Sequence, residues 1–307
     1  MTTTPGAPER PEIRLGSSTR RNLGYGAAGV IVVAAIVIGI VLKATGGNSA
    51  AGTVAGSHFG NDLQIAYEAD SASEKAFLEY LNTTIAPKYG VTITPVPIGD
   101  GNQLDQATAD GTYIANIYQH IHWLNEVVAQ THWKLSALGP VFQWAYSVYS
   151  AKHKSLDELP HGARIALLND PANTAQALWL LQRAGKITFK PGVNPWAAKV
   201  SDIATNPAGY QFTFIDYGAG PRTLPDVDAV IAYNMQFISA GVAETDKIYA
   251  PAAPKDFAGQ LVVGSDYLGD PQVAVLKRIF FDPAVQRYLA TTTDPALKDQ
   301  LSPVSRS

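Results

Sequence analysis

Short β-forming segments alternate with amphipathic helical segments from residue 63 onward, and this alternation limits the possible folds more than any other feature. The apolar pattern predicts strands at 63–69, 91–96, 113–117, 141–150, 164–168, 186–190, 211–215, 229–231 and 260–264. It predicts helices at 73–86, 103–110, 271–278 and 283–289, and one that begins at Pro171 and ends before Gly185. Strands interleaved with helices imply a mostly parallel sheet with helices on both faces. The expected fold class is therefore α/β.

The composition allows two moderate cores in one chain. A chain of 307 residues with 46% hydrophobic residues can bury that much apolar surface, so we expect two lobes. The predicted boundaries place residues 58–150 and 251–307 in lobe 1 and residues 151–250 in lobe 2. The chain contains no cysteine, which excludes disulfides, thiolate metal sites, cysteine nucleophiles and a lipid-modified cysteine.

Charge is unevenly distributed between the two ends of the chain. Residues 1–43 contain five basic and two acidic residues, and the rest contains 18 basic and 24 acidic residues, a net charge of -6. A mildly acidic body argues against nucleic acid as a partner.

The N-terminal segment predicts a membrane anchor. Residues 1–22 are rich in Thr, Pro, Gly and Ser and are expected to form a disordered cytoplasmic tail. Residues 23–43 contain a long charge-free apolar run, which predicts one transmembrane helix. Arg14, Arg20 and Arg21 precede the run and Lys43 follows it, so the body is expected outside the cell membrane. The glycine-rich residues 44–57 predict a flexible linker. The alternative is a signal peptide cleaved near residues 49–51.

Residues 109–124 form the candidate ligand-binding segment. A turn at Asp110-Gly111 leads into a short predicted strand, and Tyr118, His120, His122 and Trp123 follow it. Flat apolar walls with a few fixed donors and acceptors are what a concave site requires. The alternative is that the aromatic residues belong to the core and that His120 is an ordinary buried imidazole.

The two histidines of this segment also raise the possibility of a metal site. His120 and His122 are two residues apart and would point to one face of a strand, but no third ligand lies at a suitable spacing. We therefore expect neither a metal nor another cofactor.

Several motifs, in their order and spacing, resemble one protein family. The chain from about residue 63 to 289 is similar to the NlpA-type methionine-binding lipoproteins, the extracytoplasmic solute-binding subunits of methionine ABC importers. The resemblance rests on Ala109-Asp110-Gly111 with Ala115-Asn116 and Gln119-His120, on Lys154 to Pro160 with Gly162-Ala163, on Asn169 to Asn173, and on Pro221-Arg222 with Asp226 to Ile231.

The resemblance implies a fold, a function and partners. The implied fold is the two-lobed type II periplasmic-binding-protein fold, with two crossovers and the ligand between the lobes. The implied ligand is methionine or a related small solute, and the implied partners are the permease and ATPase subunits of an importer. The implied site includes Tyr118, His120, Trp123, Asn173, Gln176 and Asn234.

The sequence departs from the family at four points. The arginine that holds the ligand carboxylate falls on Gln176, an expected aromatic falls on Gly101, and an expected asparagine falls on Ala232, two residues before Asn234. The lipidated cysteine is absent, and the predicted membrane helix takes its place. A glutamine cannot replace a bidentate arginine, so we expect weak methionine binding. Either the ligand lacks that carboxylate, or another cation, Arg164 or Arg222, replaces the arginine. Alternatively, the alignment slips here and Gln176 faces solvent.

The sequence supports a monomeric, membrane-tethered solute-binding protein of an ABC importer. The alternative is a cell-surface sensor or interaction module on the same fold. An enzyme is not expected, because no Ser-His-Asp order, glycine-rich phosphate loop or paired-carboxylate motif stands out.

Overall fold

The computed structural model describes residues 55–304. The predicted tail (1–22), the predicted membrane helix (23–43) and most of the predicted linker (44–57) lie outside the described residues. No helix within residues 55–304 is long and apolar enough to span a membrane. Ser57, the last residue of the predicted linker, is bound to the folded body, since its hydroxyl donates a 2.6 Å hydrogen bond to Asp270.

The strands are short and occur along the whole described chain. In chain order they are β1 (Asp62–Glu68), β2 (Thr92–Ile98), β3 (Ala115–Asn116), β4 (Leu135–Trp144), β5 (Tyr146–Tyr149), β6 (Arg164–Leu168), β7 (Thr188–Phe189), β8 (Ile203–Thr205), β9 (Gln211–Ile215), β10 (Ala229–Tyr233), β11 (Lys247–Tyr249), β12 (Ala258–Gly264) and β13 (Leu301–Ser302).

The α-helices lie between these strands and near the C-terminus. In chain order they are α1 (Ala72–Tyr80), α2 (Gly101–Ala109), α3 (Ile121–Thr131), α4 (Pro171–Arg183), α5 (Gly220–Thr223), α6 (Asn234–Ser239), α7 (Pro271–Phe280) and α8 (Pro283–Thr291).

Two main sheets define two lobes. The first has the strand order β13-β4-β12-β3-β1-β2, and the second has the order β11-β5-β10-β6-β9. Strands β1, β2 and β3 are parallel, as are β6, β9 and β10, but β12, β4 and β13 pair antiparallel, and so do β5 and β11 with their neighbours. The sheets are therefore mixed, and the expectation of a mostly parallel sheet was wrong. Four of the antiparallel strands, β4, β5, β11 and β12, flank the two passages between lobes.

The chain leaves the first sheet at Ala145, between β4 and β5, and returns between β11 and β12. The sequence placed this boundary after Ser150, because residues 141–150 form one apolar run. In the structure the run is divided, since β4 pairs with β12 and β5 pairs with β10. Ala145 donates through its N–H to the Gln300 carbonyl of lobe 1 and accepts from the Asn234 N–H of lobe 2, both at 2.9 Å. This crossover residue is thus held by both lobes.

Local sequence signals explain where helix α4 begins and ends. This helix carries the predicted site residues Asn173 and Gln176. Asp170 caps α4, because its carboxylate accepts from the Asn173 N–H, and Pro171 occupies the first turn. Gly185, with φ of +72°, follows the end of the helix, a conformation that favours glycine. These features confirm the predicted start and stop of this helix.

The predicted helix at 73–86 is regular only as far as Tyr80. A π-helical turn at Leu81–Ile85 follows α1, and a 3-10 turn at Ala86–Tyr89 follows that. The Thr83 hydroxyl donates to the Glu79 carbonyl, and the Asn82 side chain accepts from the N–H of Ile93. These polar side chains bond to backbone groups, which explains why the regular helix ends early.

Candidate ligand-binding site

The carboxyl ends of central strands in both lobes carry the side chains of the predicted site. Tyr118 and His120 follow β3 in lobe 1, whereas Asn173 follows β6 and Asn234 follows β10 in lobe 2. Ligands of open α/β sheets bind beyond the carboxyl ends of the strands. Side chains from the two lobes meet here through direct hydrogen bonds.

His120 forms a hydrogen bond that joins the lobes. Its Nδ1 accepts a hydrogen bond from the Trp123 N–H at 3.1 Å and so caps α3. The proton must then be on Nε2, which donates to Asn173 Oδ1 at 3.4 Å. Burial, and to a lesser degree the neighbouring His122, lowers the pKa of His120 to about 3. His120 is therefore a neutral imidazole with both ring nitrogens engaged.

The paired histidines do not form part of a metal cluster. The ring centroids of His120 and His122 are 6.1 Å apart. Within residues 55–304, no three His, Asp or Glu side chains are arranged to bind a metal ion.

Asn173 is the centre of the polar network in lobe 2. Its side-chain amide donates to Asp170 at 2.9 Å, and its Oδ1 accepts from the Tyr233 hydroxyl at 2.7 Å as well as from His120. The backbone carbonyl of Asn173 also accepts a hydrogen bond from the Tyr146 hydroxyl at 3.3 Å. One buried amide side chain thus links β6, β10 and the opposite lobe.

Tyr118 and Trp123 form the second part of the site, around a buried carboxylate. Trp123 Nε1 donates to the Tyr118 hydroxyl at 3.3 Å, and this hydroxyl donates to Asp105 at 2.5 Å. Asp105 also accepts from the side chains of Asn116 and Gln119. Burial raises the pKa of Asp105 to about 6, and the three neutral donors only partly oppose this effect.

Gly101 lies against the Tyr118 ring. A Cβ atom at residue 101 would lie 3.2 Å from the Tyr118 hydroxyl oxygen and 3.3 Å from the ring carbon Cε2, which is tighter than ordinary contact. Tyr118 therefore occupies the space that the aromatic side chain expected at residue 101 would need.

Gln176 and Asn234 complete the predicted set. Gln176 is 2% exposed, so the alternative in which it faces solvent is wrong. Its Oε1 lies 3.3 Å from the Tyr233 hydroxyl, which places it in the network of Asn173. Asn234 is 1% exposed, and its Oδ1 has no hydrogen-bond partner among the described residues.

Arg164 and Arg222 were proposed to replace the missing cation, but they occupy other places in the fold than the site residues. Arg164 lies at the start of β6, whereas the site lies beyond the end of that strand, and its guanidinium donates to the Asp226 carbonyl. Arg222 is an exposed residue of α5. Within residues 55–304, no hydrogen bond or ion pair joins either arginine to Asn173 or Gln176.

A second polar link between the lobes was not predicted from the sequence. The Tyr217 hydroxyl, after β9 in lobe 2, donates to Glu68 at the end of β1 at 3.1 Å. Glu74 accepts from the Glu68 N–H at 3.0 Å, so two carboxyl groups lie close together. Burial raises the pKa of Glu68 to about 7, and burial together with the Glu68 charge raises the pKa of Glu74 well above its usual range.

An aromatic contact also spans the lobes. Trp196, in the 3-10 turn Pro195–Ala197 of lobe 2, has its ring centroid 5.6 Å from Phe257 and 6.3 Å from His122 in lobe 1. Phe257 is 2% exposed and precedes β12, beside the return passage between lobes. The junction thus contains apolar as well as polar contacts.

The structure brings five of the six predicted residues into one connected network through Tyr233, with Asn234 adjacent in sequence. That any of them contacts a ligand stays a prediction. Sequence reasoning missed Asp105, Glu68 and Tyr217. For Glu68 a signal existed, since it is an acidic residue near the end of the apolar predicted strand 63–69.

Comparison with known proteins identifies the family of the chain. A family model described as NlpA lipoprotein matches residues 68–300. A probable D-methionine-binding lipoprotein MetQ from Pasteurella multocida is 31% identical over 180 residues, which cover 58% of this chain and 65% of the relative. The match thus spans slightly less than two thirds of that relative's length.

Solved structures share the fold over nearly their whole length. A periplasmic substrate-binding protein of an ABC transporter from Coxiella burnetii is 27% identical, with a TM-score of 0.69 over 78% of this chain and 99% of its own. A nutrient-binding protein from Burkholderia cenocepacia bound to methionine is 27% identical, with a TM-score of 0.65 over 78% of this chain and 98% of its own. The described body therefore has the α/β fold of periplasmic substrate-binding proteins.

Proposed function

The chain belongs to the NlpA lipoprotein family, and we propose that it is a membrane-tethered, extracytoplasmic solute-binding protein of an ABC importer. The proposed solute is methionine or a related small molecule, held between the two lobes. In this role the protein binds and delivers a solute and is not an enzyme. Relatives named for D-methionine binding and a structural neighbour bound to methionine support the solute class.

One observation carries the proposal. The 3.4 Å bond between His120 and Asn173 joins the two lobes where their strand ends converge. A solute that enters this junction would contact both lobes at once, and exchange of interlobe bonds for ligand bonds is how hinged binding proteins couple binding to closure. Tyr118 and Trp123 would form its apolar wall, and Asn173, Gln176 and Asn234 would provide its polar contacts.

The proposed partners are the permease and ATPase subunits of the importer. We propose that the chain acts as a monomer and that residues 23–43 anchor it as a single membrane-spanning helix with the body outside. N-terminal sequencing of the mature protein tests the anchor, and a mature chain that begins near residue 52 would show cleavage instead. Genes for an ATPase and a permease are expected beside this one, and their absence would favour the sensor alternative.

A thermal-shift screen tests the proposed solute class. A ligand that binds only the folded state raises its stability, by ~2.7 kcal/mol at a concentration 100 times the dissociation constant. We expect methionine-like compounds to raise the melting temperature of the full-length chain and unrelated amino acids to leave it unchanged. A screen in which no methionine-like compound stabilises the protein would refute the proposal.

A further inference from the structure

Asp105 connects helix α2 with the predicted aromatic wall of the site. It is 0% exposed, and its Oδ1 accepts hydrogen bonds from Asn116 Nδ2 at 3.1 Å and from Gln119 Nε2 at 2.5 Å. Its Oδ2 accepts from the Tyr118 hydroxyl at 2.5 Å. The oxygen of that hydroxyl accepts from Nε1 of Trp123, in α3, at 3.3 Å. The position of the Trp123 indole therefore depends on Asp105 through Tyr118.

The two oxygens of Asp105 face partners of different kinds. The amide nitrogens of Asn116 and Gln119, which face Oδ1, can only donate hydrogen bonds. The Tyr118 hydroxyl, which faces Oδ2, can donate or accept. A second acceptor lies within its reach, because the Gly101 carbonyl oxygen is 3.3 Å away. The atom at Oδ1 must therefore be an acceptor, whereas the atom at Oδ2 can be either an acceptor or a donor.

The Tyr118 hydroxyl keeps its partners whether or not Asp105 carries a proton. Burial raises the pKa of Asp105 to about 6, so both of its forms occur near neutral pH. Burial, and next the Asp105 charge, raises the pKa of Tyr118 well above its ordinary value, so the hydroxyl stays protonated. With a proton on Oδ2, Asp105 would donate to the Tyr118 oxygen, and the hydroxyl would donate to Gly101. The bond from Trp123 persists in both forms, since a hydroxyl oxygen has two lone pairs.

We propose that Asp105 is a positioning residue of the solute site, which fixes the Tyr118 hydroxyl and, through it, the indole of Trp123. The inference rests on the proposed function, in which these two aromatic side chains form the apolar wall. A wall that is ordered before the solute arrives avoids the cost of ordering two large side chains on binding. The order of donors and acceptors decides this role, and the charge does not. An asparagine at residue 105, with Oδ1 toward the two amide donors and Nδ2 toward Tyr118, satisfies the same partners.

Calorimetry with L-methionine on the full-length chain tests the role in binding. Asp105→Leu keeps a branched side chain but removes both oxygens, and we expect it to weaken binding by about tenfold or more. Asp105→Asn should restore the affinity to within about threefold of the wild type. Gln272→Leu is the matched control, because Gln272 is a buried polar residue of lobe 1 that donates to Gly60 and Asn61. The control should lower the melting temperature and leave the methionine affinity unchanged.

The exchange rate of the Trp123 indole proton with solvent measures positioning without a solute. The chain contains five tryptophans, so selective isotope labelling of the indole nitrogens gives five nuclear magnetic resonance signals, and Trp123→Phe identifies the signal of Trp123. Asp105→Leu and Tyr118→Phe should each speed exchange of this proton by about three- to tenfold, the effect of losing one hydrogen bond. Asp105→Asn and Gln272→Leu should leave the rate unchanged.

The two measurements together decide the inference. An Asp105→Leu protein that folds, as judged by its melting temperature, and binds methionine as tightly as the wild type would overturn it and leave the proposed function intact. Weaker binding with unchanged indole exchange would also overturn it, as would an Asp105→Asn protein as impaired as Asp105→Leu. If Asp105→Leu does not fold, wild-type exchange in Tyr118→Phe overturns the inference. A wild type that binds no methionine-like compound would refute the proposed function and, with it, this role of Asp105.

Discussion

Replacement of Asn173 by alanine removes the side chain that connects the two lobes at the site. The variant leaves His120 Nε2 without its acceptor, and His120 is only 3% exposed. The imidazole cannot use its other nitrogen instead, because Nδ1 caps α3 through the Trp123 N–H. An unpaired buried donor costs ~1–3 kcal/mol, and loss of the 2.7 Å bond from Tyr233 adds ~1 kcal/mol. We therefore expect the free energy of unfolding to fall by about 2–4 kcal/mol.

Urea denaturation of both proteins measures this difference, and the melting temperature should fall by about 2–4 °C for each kcal/mol. Asn169→Ala is the matched control, because Asn169 is exposed and donates to Asp216 within lobe 2. The control should change the free energy of unfolding by no more than ~0.5 kcal/mol. An Asn173→Ala protein as stable as the control would show that the interlobe network contributes nothing in solution.

Three further changes test individual side chains. Trp123→Ala should weaken solute binding by ~1–3 kcal/mol, since a large apolar surface is lost, and calorimetry that finds an unchanged affinity would place the site elsewhere. Gln176→Arg should strengthen methionine binding, because a guanidinium can pair with the carboxylate; submicromolar methionine binding by the unmodified protein would contradict this reasoning. Asp105, with a pKa of about 6 when folded, binds its proton more tightly in the folded state than in the unfolded state. The wild type should therefore lose up to ~3 kcal/mol of stability relative to Asp105→Asn as pH rises from about 4 to about 6, and equal pH profiles in urea denaturation would refute this.

Elements with strong local signals were predictable from the sequence. Strands β6 and β9 have the predicted bounds, because short apolar segments, rich in aromatic and β-branched residues in β9, occur there between turn-forming residues. Helix α4 was predicted from its cap at Asp170 and its stop at Gly185. Two lobes were expected from length and composition, and the family resemblance was confirmed over residues 68–300.

Features that depend on distant partners were not predictable. The break at Ala145 exists because β4 and β5 pair with strands from different parts of the chain. The hydrogen bond between Glu68 and Tyr217 joins residues 149 positions apart. Nothing in the sequence near either residue predicts that the other is its partner. Strand β3 has two residues where the sequence predicts five, although its neighbours Ile114 and Ile117 are buried in the core.

Energy transfer between dyes on the two lobes tests most directly whether a solute binds between them. The chain has no cysteine, so Glu79→Cys in lobe 1 and His161→Cys in lobe 2, both at exposed positions, give specific labelling. A methionine-like ligand should change the transfer efficiency over the same concentration range in which it raises the melting temperature, and Asn173→Ala should weaken this response. Thermal stabilisation by the ligand with no change in energy transfer would show that it binds outside the junction of the lobes.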